Sequence, residues 1–145
     1  MTQLVNYVKW MGGKLAGTDA LTAARDKFKT DASGDANGQV VIAAEQQLDT
    51  DNLKLINCLD KNNSAALTAL TAFRTDEVNG DSAQAATDLS RFEGMLTKEQ
   101  AKLFGNVQTD NKNITVDLKA CSSTIQADYK DQMKQRKIAL QQDGI

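Results

Sequence analysis

The stretch that decides the fold runs from Leu96 to Leu140 and reads LTKEQAKLFGNVQTDNKNITVDLKACSSTIQADYKDQMKQRKIAL. It opens with a capping box, because Thr97 can accept from first-turn amides while Gln100 reaches back to the Thr97 amide. Apolar residues follow at the three-, four- and seven-residue intervals of one helix face: Leu103, Val107, Ile114, Leu118, Cys121 and Ile125. We therefore predict one long helix over about residues 97–141, whose apolar stripe needs a partner surface.

Residues 39–78 supply that partner in the sequence. Their apolar positions keep helical spacing, although the polar run Lys61–Ser64 could be a kink or a break. Gly80 suits the position after a helix end, and a short corner helix over Ser82–Phe92 connects the two long segments. Two long antiparallel helices, about 39–78 and 97–141, are the expected frame.

The composition agrees with an all-α bundle in a single domain spanning residues 1–145. The chain contains no proline, only 5% of its residues are aromatic, and no run alternates with the period of a strand. Shorter N-terminal helices are expected over residues 3–16 and 18–32. Residues 1–16 form an amphipathic segment, and we favour packing on the bundle over contact with a membrane.

The residue types that are missing exclude several kinds of chemistry. The chain has no histidine, so Ser-His and Cys-His catalytic pairs and histidine-ligated metal sites cannot form. Carboxylates are numerous but scattered, as on a solvated helical face; Asp76 and Glu77, for example, lie at a helix end beside a turn. We therefore expect no enzyme activity and no cofactor.

The charge pattern argues against a nucleic-acid partner. Net charge is −2, and no basic face dominates the chain. One basic cluster is interpreted as complementing the negative end of the last helix; its residues are Lys130, Lys134, Arg136 and Lys137.

Cys58 and Cys121 lie at similar distances from the expected turn between the long helices. Antiparallel packing would then bring them to nearly the same height, so we predict a disulfide, with two free apolar cysteines as the alternative. A disulfide would place the protein in a secretory or other oxidising compartment. Sequons at Asn62 and Asn113 are possible glycosylation sites in that setting.

The segment Ser33–Val40 resembles the calcium loop of the EF-hand family. Its candidate ligand positions are Ser33, Asp35, Asn37 and Gln39, with Gly38 at the turn position. The pattern departs from that family at its twelfth position, where Ala44 stands in place of a bidentate glutamate. A turn between two helices accounts for the same residues.

These observations predict a non-enzymatic structural or interaction protein. Its long amphipathic helices would mediate self-assembly, in the manner of coiled coils, or binding of another helical protein. The alternative is an extracellular carrier that holds an apolar ligand among the bundle's large side chains, which are Phe28, Phe73, Phe92, Met95 and Phe104.

Overall fold

The computed structural model describes residues 19–142, except for the side chains of Leu140 and Gln142. Over this range the chain forms helices and no strand, which confirms the all-α prediction. The predicted helix over residues 3–16 lies outside the described residues. Six helices follow in order: α1 (Asp19–Ser33), α2 (Ala36–Asn62), α3 (Ser64–Asn79), α4 (Ser82–Gly94), α5 (Lys98–Lys119) and α6 (Ser123–Gln142).

The helices pack as three nested pairs. Helix α1 packs on α6, α2 on α5, and α3 on α4. The Asn37 side-chain amide donates to the Ala120 carbonyl at 3.1 Å, and the Asn63 amide donates to Gln100 Oε1 at 3.0 Å. Residue numbers thus rise along α2 while they fall along α5, so the predicted antiparallel arrangement is confirmed for this pair.

The predicted 39–78 helix is interrupted at Asn63, within the polar run. Asn63 has extended φ (−158°) and caps α3 by accepting from the Ala66 amide at 3.2 Å. Its side-chain amide also donates to the Met95 carbonyl at 2.9 Å. These bonds let the chain change direction, so that α3 packs on α4 instead of extending the α2–α5 pair.

The prediction of an unbroken helix over residues 97–141 is wrong. The capping box at Thr97 and Gln100 is present, but α5 ends at Lys119. The Cys121 amide donates to the Leu118 carbonyl, and Ser122 Oγ accepts from the Ile125 amide at 3.3 Å, as an N-cap does. Helix α6 therefore leaves the α5 axis and packs on α1.

Two apolar clusters form the core, one at each end of the α2–α5 pair. The first joins the later part of α2 to α3, α4 and α5, with Phe92 and Phe104 in edge-to-face contact at 4.9 Å between ring centroids. The second joins the early part of α2 to α1, α5 and α6, with Phe28 and Tyr129 at 5.4 Å. The α2–α5 pair is therefore the spine of the bundle.

The contact between α1 and α2 depends on Gly38. A Cβ atom at this position would lie 2.4 Å from the Ala32 carbonyl oxygen and 2.7 Å from the Ala32 Cα. Only glycine allows the two backbones to approach so closely at this crossing.

Candidate functional site

The two cysteines are not bonded, and the disulfide prediction is wrong. Both thiols are free, with Cys58 half-buried and Cys121 buried. Cys121 follows Ala120, which contacts Asn37 at the start of α2, whereas Cys58 lies about 30 Å further along that helix. The prediction failed because it treated residues 39–78 as one straight helix, and the break at Asn63 removes that register. The inferred oxidising compartment loses its main support.

The residues of the calcium-like segment form a helix start instead of a twelve-residue loop. Helix α2 begins at Ala36, and Asp35 caps it by accepting from the Asn37 and Gly38 amides at 2.8 and 3.2 Å. The Gln39 side chain donates to the Ser33 carbonyl at 2.8 Å. Across the described part of the chain, no three or more Cys, Asp or Glu residues are grouped to hold a metal ion.

The two predicted glycosylation positions, Asn62 and Asn113, are both exposed. Asn62 lies at the end of α2, and Asn113 lies in α5 on the wall of a surface groove. Their modification stays a prediction.

The side chains predicted for a carrier form ordinary core. Phe28 and Phe92 are fully buried, and Phe28 lies in a different cluster from the other aromatic rings. Met95 packs against the same cluster as Phe73 and Phe104.

An aspartate pair bridges each of the three nested helix pairs. The two carboxyl groups of each pair are in hydrogen-bonding contact with one another. Four of the six side chains are buried, with 6–8% of their surface exposed, and the other two are half-buried. From the outermost helix pair inward, they are Asp31–Asp128, Asp51–Asp110 and Asp76–Asp88.

In each pair, one aspartate already has a hydrogen-bond or ionic donor. Lys27 Nζ lies 3.4 Å from Asp128, Gln47 donates to Asp51 at 3.1 Å, and Gln84 donates to Asp88 at 3.1 Å. For Asp51, the bond from Gln47 is one of the contacts that lower the pKa of its carboxyl.

Each pair also retains one buried carboxylate oxygen without a donor. These atoms are Oδ2 of Asp76, of Asp110 and of Asp128. Two carboxylates cannot donate to each other, so a proton shared within the pair is what completes the hydrogen bonding.

In each pair, the pKa is raised for the aspartate that lacks the lysine or glutamine donor. Contact with Asp88, and then burial, raises the pKa of Asp76 to about 6. Burial, and then contact with Asp51, raises the pKa of Asp110 to about 6. Contact with Asp128 raises the pKa of Asp31, whereas the bond from Asp110 lowers the pKa of Asp51.

The sequence interpretation missed these pairs because it assigned the carboxylates to solvated faces. A signal was present, since two of the aspartates lie between buried apolar residues at helical spacing. Asp88 lies three residues after buried Ala85 and four before buried Phe92, and Asp110 stands in the same relation to Val107 and Ile114. A carboxylate at such a position has to find a partner inside the protein.

Other titratable groups, which are half-buried, lie where α1, α2 and α6 meet. Glu45 accepts from Gln132 at 3.1 Å, and the Gln132 side chain is 1% exposed. Burial raises the pKa of Glu45 and of Asp49, although Arg136 and Arg25 act in the opposite sense. The same burial raises the pKa of Tyr129 to about 12.

A shallow groove runs between α2 and α5 on the surface, and we call it the acidic groove. Val40 is half-exposed here, and Val116, the neighbour of Asp117 on α5, is 54% exposed. Its volume is about 400 Å³, and its lining residues are Val40, Ala43, Ala44, Gln47, Asp110, Asn113 and Asp117. Its charged residues are both acidic.

A second exposed surface runs along α6, and we call it the basic face. It lies opposite the buried side of the helix, which carries Ile125, Asp128 and Gln132. Its residues recur at helical spacing and are Lys130, Met133, Lys134, Lys137 and Ile138. The predicted role of these lysines at the helix terminus is wrong, because the last turn of α6 contains no basic residue.

No protein-family model, curated protein or solved structure matches this chain. None of the helices within residues 19–142 combines the length and apolar character needed to cross a membrane.

Proposed function

We propose that this chain is a non-enzymatic helical protein that assembles with copies of itself. In the proposed contact, the basic face of one copy lies in the acidic groove of the next. The observation that carries the proposal is that one chain presents both surfaces, each with exposed apolar side chains. The charges are acidic in the groove and mainly basic on α6, where exposed Asp131 borders the lysines.

The two surfaces agree in length as well as in charge. Lys130 to Ile138 covers about 12 Å of α6, and Val40 to Gln47 covers about 10 Å of α2. Met133 and Ile138 are each 37% exposed and flank the lysines, so they can cover Val40 while the ammonium groups approach Asp117. Charge complementarity of this kind directs association and rejects wrong partners.

The proposed contact joins two different surfaces and is therefore heterologous. Such a contact repeats from copy to copy, so it produces rings if the rotation closes and filaments if it does not. Each copy at an open end retains one unused surface.

Solution molar mass, measured by light scattering against concentration, tests the proposal. We expect mass above 15.7 kDa that rises with concentration and falls with added salt, because salt screens the exposed charges. Val40→Glu should prevent the acidic groove from binding another copy, and Lys134→Glu should prevent the basic face from doing so. Leu53→Glu is the matched control, since Leu53 is exposed but lies outside both surfaces.

Mixing the two defective variants makes the test specific. The Val40→Glu copy keeps its basic face and the Lys134→Glu copy keeps its groove, so a mixture should form a dimer that cannot grow. A symmetric interface would not be rescued by mixing. Wild-type protein that remains monomeric at high concentration would contradict self-assembly.

Glycosylation at Asn113 is incompatible with this contact. Asn113 lines the acidic groove, and a glycan there would occupy the place of the incoming helix. We propose that any secretory glycosylation falls on Asn62. Intact mass of protein from its natural source, followed by site mapping, distinguishes the two positions.

A further inference from the structure

We propose that the three aspartate pairs make this bundle a proton-dependent clasp. Each pair holds its two helices together while it binds one proton, and the helices loosen when that proton is lost. The inference does not depend on self-assembly, because all three pairs lie within one chain.

The geometry favours a shared proton in each pair. Two carboxyl groups from different helices meet, one of them is already bonded to a donor, and one buried oxygen has none. A protonated carboxyl donates across the pair and satisfies that oxygen. Without the proton, two like charges face each other between packed helices, and both the repulsion and the unmet hydrogen bond oppose packing.

The surrounding charges differ among the pairs. Lys27 acts on the first pair, Lys54 on the second and Asp81 on the third. A lysine partly offsets the second negative charge, whereas Asp81 adds to it. We therefore expect the Asp76–Asp88 pair, between α3 and α4, to be the most sensitive to deprotonation.

The direction of the pH effect follows from the raised pKa values. A carboxyl whose pKa is raised by folding stabilises the folded chain below its ordinary pKa, and this stabilisation is lost as pH rises through the raised value. For Asp76 and Asp110 the loss begins near the ordinary value of 3.8 and is nearly complete just above pH 6. The lowered pKa of Asp51 acts in the opposite sense, and its contribution is lost as pH falls below the ordinary carboxyl range.

Thermal unfolding across pH tests the clasp. We expect Tm to fall as pH rises from about 4 to about 6.5 and to level off above that range. The triple variant Asp31→Asn, Asp76→Asn, Asp110→Asn replaces the proton with a permanent amide donor. Its Tm at neutral pH should exceed that of the wild type, and its pH dependence should shrink to the part due to Glu45 and Asp49.

Asp26→Asn is the matched control, because Asp26 is exposed on α1, and it should leave the pH dependence unchanged.

Infrared spectroscopy of the wild type gives a second readout that needs no variant: the carbonyl band of protonated carboxyls should persist at about pH 5 and disappear by about pH 8. A flat Tm profile, or a triple variant with undiminished pH dependence, overturns the proposal. So does an increase in Tm at neutral pH on adding calcium or magnesium, because a cation would then bridge the pairs.

Discussion

Gly38 shows how one residue fixes the approach of two helices. The sequence placed it at the turn position of a calcium-like loop, and a turn glycine was expected there. The structure gives it another reason, because the Ala32 backbone occupies the space of its missing side chain. The sequence shows a glycine within a turn-like segment, but the need for glycine at position 38 comes from the close contact between α1 and α2.

We expect Gly38→Ala to lower the free energy of unfolding by about 2 kcal/mol, because α1 would have to move away from α2. Gly105→Ala is the contrasting control. A Cβ at Gly105 meets nothing within 4 Å, so alanine should raise the stability of α5 by about 1 kcal/mol. Urea unfolding of both variants measures the two effects; equal changes of the same sign would contradict this account of Gly38.

At the scale of the element, the residues that typically begin and end helices identified most of the helices. Thr97 and Gln100 form the capping box, Gly80 adopts the left-handed conformation at φ 76°, and Asp81 caps α4. The break after Lys119 was missed, although the polar run Ser122–Thr124 is a helix-start signal. The apolar stripe continues through Cys121 and Ile125 across the break, so periodicity alone could not reveal it.

The break at Asn63 should be essential to the packing of α3. Asn63→Ala removes the α3 N-cap together with the bonds to Met95 and Gln100, and we expect a loss of about 2 kcal/mol. Asn57→Ala, at an exposed position in α2, is the matched control and should change stability by less than about 0.5 kcal/mol. Chemical denaturation followed by circular dichroism compares them; a harmless Asn63→Ala would mean that apolar packing alone turns the chain.

At the scale of the whole molecule, the all-α class and the antiparallel α2–α5 pair followed from composition and spacing. The aspartate pairs did not, because which carboxylates meet depends on the register of three helix pairs at once. The disulfide prediction failed for the same reason, because the register between the paired helices could not be read from the sequence. Short-range patterns specify helices, whereas the partner of a side chain is decided by tertiary packing.

Thiol labelling tests whether the two cysteines are free and unequally buried. We expect two free thiols in the unfolded chain without reductant, and in the native chain we expect Cys58 to react well before Cys121. Cys121 is 7% exposed, and burial raises the pKa of its thiol, so its labelling should wait for opening of the α5–α6 junction. Cys58→Ser should remove the fast phase. Non-reducing mass spectrometry that showed a two-dalton deficit would restore the disulfide.

The nested pairing has a consequence for how the chain folds during synthesis. Helices α3 and α4 are joined by a short turn, so they can pair first; that pairing shortens the loop to be closed by α2 and α5, and then by α1 and α6. The order runs from the middle of the chain outward. Of the described helices, α1 leaves the ribosome first; it can contact α2 early, but its main partner α6 comes last, so the part of its apolar side that faces α6 stays uncovered until α6 has been made.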